Sequence, residues 1–262
     1  MTGDALAAEL HLARQLADAA DAYTLPRFHA QDFTLGWKDD RSEVTEADRG
    51  CEALLAERVL AERPGHGFFG EEHGLQGDAA SRWRWIVDPI DGTSGFVRGI
   101  PVWGSLIALV HDDVPQVAVI SAPALGRRWY ASRGHGAFGE HAGATTPLRV
   151  SDVDQLADAQ VSVTFSSGWD ALGKTTALVG LVQGARRARG FGDFWQHCLV
   201  AEGALDVAVD AVGLGLYDVV APQLIVEEAG GRFTNPFGSD HTRSAISTNP
   251  ALHAAVLARL GL

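Results

Sequence analysis

The chain has 262 residues, with 33 Asp and Glu against 21 Lys and Arg and a formal net charge of −12. That balance leaves no basic stripe to neutralise phosphates and excludes nucleic acid as a partner. With 46% hydrophobic and 21% charged residues, and no apolar run near the roughly 18 residues of a membrane span, the composition describes a globular protein of one large domain or two lobes on a shared core.

The opening MTGDALAAELHLARQLADAADAY is acidic and amphipathic, with Leu6, Leu10, Ala13, Leu16 and Ala20 on one helical face, and lacks the basic start and apolar centre of a signal peptide. Thr45 reads as an N-cap with Asp48 three residues on, opening a helix over about residues 46–63. GFFGEEHG is a short strand ending in a Glu pair, and SRWRWIVD is a second strand. Residues 103–140 form an antiparallel meander, with turn signals at Asp112-Asp113 and Leu125-Gly126. Beyond it, strands QVSVTF, ALDVAVDA and SAISTN alternate with helices at about 169–183, 193–203, 218–229 and 250–260. The class is α/β, with an α+β lobe over residues 1–145 and an α/β lobe over 146–262, divided near EHAGATTPLRVS. Cys51 and Cys198 lie in apolar helix-like stretches without metal-ligand spacing, as expected of buried thiols in a cytoplasmic protein.

The acids that terminate elements carry the chemistry. Glu71 ends GFFGE, Asp88 ends RWIVD, Asp91 follows in the turn, and Asp218 begins a helix. Rigidly supported carboxylates of this kind suit a hard cation with oxygen ligands. Pro89 stiffens the turn and leaves the Ile90 carbonyl free as a further ligand, while a helix starting at Gly92-Thr93-Ser94 offers N–H groups to an anion. Metals and N–H groups facing one spot make a phosphate clamp, in which two ions about 3.5–4 Å apart activate water and stabilise the leaving oxygen. The plain alternatives stay open. Asp-Pro-x-Asp-Gly is more often a simple turn, Asp48 a capping acid, and Asp218 an acid favoured by a helix dipole.

In the order KDDRSEVTEADR, GFFGEEHG, WIVDPIDGTSGFVRGIPVWGSLIAL and YDVVAPQLIVEEAGGRFT, the chain resembles the inositol monophosphatase-like superfamily of metal-dependent, lithium-sensitive sugar phosphatases. The resemblance implies a layered αβαβα sandwich, a homodimer and two or three Mg²⁺ ions. It implies that Glu71, Asp88, Asp91, Asp218 and the Ile90 carbonyl bind the metal, with Asp88 bridging two ions. Thr93, with Asp48 behind it, would orient and help deprotonate the attacking water, and backbone groups of Gly92, Thr93 and Ser94 would hold the phosphate. No covalent enzyme intermediate is implied, and the partner is a small phosphorylated metabolite.

Within the superfamily, RARGFGDFWQHCLVAEGALDVAVD resembles the bacterial histidinol-phosphate phosphatases. The usual small residues after Gly192 are replaced by Asp193, Phe194 and Trp195. An acid there can meet a cationic amine, an aromatic can pack against an imidazole, and Arg189 can pair with phosphate. Core packing for Phe194 and Trp195, capping for Asp193 and a strand edge for Arg189 are the structural alternatives. Three departures stand out: Glu43 where the family usually has proline, expected to add charge and loosen its loop; Tyr217 in place of a common Trp; and Pro222, expected near a helix start. An inositol phosphatase, or a broad small-sugar-phosphate phosphatase, is the competing function. A non-catalytic relative should have lost one of the four acids.

Overall fold

Apolar periodicity sets the first helix, α1 (Gly3–Ala30), in the computed structural model, which describes residues 3–38, 42–235 and 244–262. Leu6, Ala13, Leu16 and Ala20 are buried, with Leu10 packed against the same cluster. A hairpin of β1 (Leu35–Trp37) and β2 (Glu43–Thr45) leads into α2 (Glu46–Glu62). The expected capping box is formed. The Thr45 hydroxyl accepts the Asp48 N–H, and the Asp48 carboxylate accepts the Thr45 N–H at 2.8 Å. Asp39–Arg41 of the first motif lie outside the described residues.

An eight-stranded sheet follows: β3 (Gly67–Gly70), β4 (Gly74–Gly77), β5 (Trp83–Asp91), then, after the short α3 (Thr93–Val97), β6 (Gly104–His111), β7 (Val114–Ala122), β8 (Arg127–Ser132), β9 (Ala137–His141) and β10 (Ala144–Pro147). Its order is β10-β9-β8-β7-β6-β5-β3-β4, with β6–β9 as the expected meander; β10, in the stretch read as the boundary between lobes, adds a strand that was not expected. Asp112 and Asp113 both have positive φ, at 49° and 60°, the backbone of a tight two-residue hairpin.

The second sheet is built from β11 (Gln160–Val163), then, after α4 (Ser167–Ala171) and α5 (Thr175–Gly184), β12 (Arg187–Arg189). After α6 (Asp193–Ala201) come β13 (Val207–Val209), α7 (Leu216–Glu228), β14 (Arg232–Thr234), β15 (Ile246–Thr248) and α8 (Pro250–Leu260). Its order is β12-β11-β13-β15-β14. The single helix expected over 169–183 is two helices, broken at Gly173, whose φ of 66° is left-handed. The expected Pro222 position is also corrected. α7 starts at Leu216, so the proline is the seventh helical residue and withholds an N–H from the Asp218 carbonyl.

Strand alternation generates the layers. From the large sheet, Trp85, Val87, Ile107, Leu109, Val117 and Val119 pack with α1 and α2, while Ile86, Leu106, Ala108, Ala118 and Ile120 pack with α6 and α7. In the second sheet Val161, Val163, Val207, Val209 and Ile246 face α4, α5 and α8. Its opposite face meets α6, where the Ser162 hydroxyl donates to Gln196 and Ser247 contacts His197. The result is the five-layer αβαβα sandwich.

Candidate active site

The carboxylates of Asp88, Asp91 and Asp218 converge, each offering one oxygen within 4.8 Å of the others. A bulge makes this possible. Asp88 pairs with Leu106 and Asp91 with Gly104, so the register shifts between them. The strand therefore runs on to Asp91 instead of ending at Asp88 as expected. Pro89 has no N–H to lose from the ladder, and its carbonyl accepts the Ser105 hydroxyl at 2.7 Å. Ile90 is anchored among Phe28, Phe96 and Trp103, and its N–H donates to Asp88 Oδ1 at 3.0 Å. Asp218, the third residue of α7, accepts the Gly215 N–H on Oδ2 at 2.5 Å.

Behind this cluster stands a short hydrogen-bonded line. Thr93 Oγ1 lies 3.1 Å from Asp48 Oδ1 and 3.0 Å from the Ile90 carbonyl, so its one proton serves either acceptor. The other Asp48 oxygen is held by the Thr45 N–H and hydroxyl, the latter at 2.6 Å. Gly92 caps α3 at φ 86°, and a Cβ there would stand 3.0 Å from the Val102 carbonyl. Both facts require glycine. The first-turn N–H groups of α3, at Thr93 and Ser94, have no intrahelical acceptor.

Glu71 sits in the turn between β3 and β4, with its N–H on the Val87 carbonyl at 3.2 Å. Its carboxylate neighbours Asp88, and Lys38 Nζ bridges it at 2.5 Å and Glu72 at 2.6 Å. Burial, then mutual repulsion, pushes the acids up. Asp88 and Asp91 stand well above the ordinary carboxylate range, and Asp218 is raised to about 8 by burial and by Glu71. Burial also raises Asp48, offset by its hydrogen bonds from Thr45 and Thr93. Oxygen donors this crowded cannot all ionise without a cation, and the Lys38 ammonium already holds one edge. The converging Asp88, Asp91 and Asp218 oxygens, with Glu71 beside Asp88, therefore fit a hard divalent ion, while the Ile90 carbonyl is met by the Thr93 hydroxyl.

The substrate-side expectations divide. Asp193 opens α6 at the unusual φ of 48°, and its Oδ2 lies against Gly92, where an added Cβ would stand 3.4 Å away. Burial, then Asp210, raises its carboxyl to about 6. The Phe194 N–H donates to Asp91 Oδ2 at 2.7 Å, so the start of α6 clamps a cluster acid. The Phe194 ring itself is core, buried against Trp129 and Gly104, which is the core-packing alternative weighed for it from the sequence. Trp195 is half-buried and edge-on to Phe191 at 5.3 Å, with its indole N–H enclosed and without an acceptor among the described residues. Arg189 is exposed at the end of the edge strand β12, where its guanidinium donates to the Ala188 carbonyl. Glu43 does not bring an unpaired charge, because Arg98 binds it at 2.7 Å and also holds the Ser94 hydroxyl and carbonyl. Tyr217 stacks on Phe69. Both cysteines are buried.

Sequence reading missed Lys38, Glu52 and Asp210. Asp210, the residue after β13, is buried against His197 Nε2 at 3.2 Å and adds repulsion to Asp91, Asp193 and Asp218. The acid-every-four spacing of Asp48 and Glu52 on α2 was the one available signal. A separate cavity of about 540 Å³, between α1 and β7–β10, holds none of these residues.

The chain belongs to the inositol monophosphatase family, whose model matches residues 6–260. It is 47% identical over 255 residues to the histidinol-phosphatase of Mycobacterium tuberculosis, covering 96% of this chain and 97% of the relative. It is 42% identical over 259 residues to the histidinol-phosphatase of Streptomyces coelicolor, covering 96% of each. Among solved structures, the extragenic suppressor protein suhB of Bartonella henselae superposes with a TM-score of 0.86 at 27% identity, covering 97% of this chain and 98% of that one. Among the described residues no helix is long and apolar enough to cross a membrane.

Proposed function

We propose that this phosphoric monoester hydrolase converts histidinol phosphate to histidinol and phosphate, as a cytoplasmic, lithium-sensitive homodimer in histidine biosynthesis. One observation carries the reaction: three acids from two elements converge beside a threonine that is backed by a buried carboxylate. Glu71, Asp88, Asp91, Asp218 and the Ile90 carbonyl would hold two or three Mg²⁺ ions, which would supply charge to polarise the phosphate and make the attacking water more acidic. Thr93 accepts a hydrogen bond from that water and donates to Asp48, so the proton is drawn toward a carboxylate that burial has made more basic. The water oxygen forms the new P–O bond, the ester P–O bond breaks, and the departing alkoxide takes a proton from solvent water, whose hydroxide is neutralised by the proton that Asp48 returns. The N–H groups of Gly92, Thr93 and Ser94 hold the phosphate, with Arg189 as a further donor.

For the substrate, Asp193 beside Gly92 meets the amine. In this reading residues 1–145 carry most of the metal ligands, and residues 146–262 carry the substrate side and the last metal Asp. The relatives named histidinol-phosphatase support the substrate. Inositol phosphate, or a broad range of small sugar phosphates, is the weaker alternative. The test is the ratio of kcat/KM for histidinol phosphate and inositol 1-phosphate in Asp193→Asn against the unmodified enzyme. A fall confined to histidinol phosphate supports the assignment, and equal effects on both count against it.

A further inference from the structure

We infer that Glu52 is a positioning residue that fixes the Glu71–Glu72 turn and thereby sets how tightly the cation is held there. The inference rests on the metal reading above. Glu52 is fully buried on α2, one turn after Asp48, on a helix that otherwise buries Cys51, Leu55, Ala56 and Val59. A charge in such a position is unfavourable unless hydrogen bonds compensate it.

The compensating donors all come from one turn. Glu52 Oε2 accepts the Glu72 N–H at 2.7 Å, and Oε1 accepts the His73 N–H at 2.8 Å and contacts His73 Nδ1 at 2.9 Å. The carboxylate presses on Gly70, where any Cβ would lie 2.1 Å from its carbon, so residue 70 must be glycine for Glu52 to reach. Glu71 is thus clamped from both sides, by its own N–H on β5 and by the next two N–H groups on Glu52. Two acids one turn apart on α2 therefore serve two edges of the site: Asp48 aligns the Thr93 hydroxyl and Glu52 aligns the Glu71 carboxylate. Groups that orient a metal-binding carboxylate from behind change metal affinity by roughly 10–100-fold when lost.

The test is calorimetric Mg²⁺ titration of the full chain as wild type, Glu52→Gln and His73→Ala, with circular dichroism to check the fold and phosphate release measured across Mg²⁺ concentration. Glu52→Gln should weaken Mg²⁺ binding about 10–100-fold, with kcat at saturating Mg²⁺ close to wild type. His73→Ala, at a half-exposed turn that does not endanger the fold, should shift affinity in the same direction by less. A purely structural role would lower the unfolding temperature in EDTA and leave Mg²⁺ affinity unmoved in both variants, which overturns the inference. If wild type itself binds no Mg²⁺, the metal reading fails and the inference is overturned with it, an outcome distinct from equal Mg²⁺ affinity in wild type and both variants.

Discussion

Asp88→Asn separates the energetics of the carboxylate cluster from those of its cation. The facing oxygens of Asp88, Asp91 and Asp218 lie within 4.8 Å of one another. At an effective dielectric of about 20, two full charges at that distance repel by about 3.5 kcal/mol. Proton uptake relieves part of this at neutral pH, because Asp218 titrates near pH 8 and Asp88 stands well above the carboxylate range. Asparagine keeps the Oδ1 acceptor for the Ile90 N–H, so the bulge is preserved. At pH 9 in EDTA the variant should therefore be more stable than wild type by about 2–4 kcal/mol, a rise of about 4–7 °C in Tm for a chain of this length. The gain should shrink at pH 5, where protons already fill the cluster. Added Mg²⁺ should raise the wild-type Tm and leave the variant nearly unchanged, and turnover should be lost. Differential scanning calorimetry at both pH values reads all of this. An Asp88→Asn protein that melts below wild type in EDTA, yet keeps the full Mg²⁺ shift, refutes the reasoning.

Thr93→Val, which removes the hydroxyl between Asp48 and the water position, should lower kcat by about 10²–10⁴-fold with little change in KM, as steady-state phosphate release will show. Asp193→Asn should raise KM for histidinol phosphate by about tenfold, equivalent to the loss of roughly 1.4 kcal/mol of charge contact, and leave inositol 1-phosphate unaffected. Stability of the metal-free protein should fall as pH rises. Asp193 at about 6 and Asp218 at about 8 hold protons in the folded state that the unfolded chain releases near pH 4, so folding loses free energy across that window and levels off above it. Urea unfolding in EDTA at pH 5, 6.5 and 8 checks the sign, and Mg²⁺ should flatten the slope.

Local rules carried much of the fold. The Thr45–Asp48 capping box, the Asp112-Asp113 turn and the alternating apolar strands depend on near neighbours, and each is legible in the sequence. The five layers follow from which face of each strand is apolar. Contacts set by backbone phase were not legible. The bulge carries β5 through Pro89 to Asp91, and no propensity rule announces a register shift. Phe194 turns inward after two residues of positive φ, the α6 cap Gly192 and the first helical residue Asp193. Sequence gives the adjacency of Asp193, Phe194 and Trp195 but not the rotation that sends one to the site and one to the core. The Lys38 bridge to Glu71 and Glu72 spans more than thirty residues and has no local signature.

Phosphate release from histidinol phosphate and from inositol 1-phosphate, side by side with Mg²⁺ and with EDTA, tests the central claim most directly. Rapid, Mg²⁺-dependent turnover of histidinol phosphate, with inositol 1-phosphate turned over slowly, is the expected result. Preference for inositol 1-phosphate, or undiminished release in EDTA, would contradict the substrate assignment in the first case and the metal mechanism in the second.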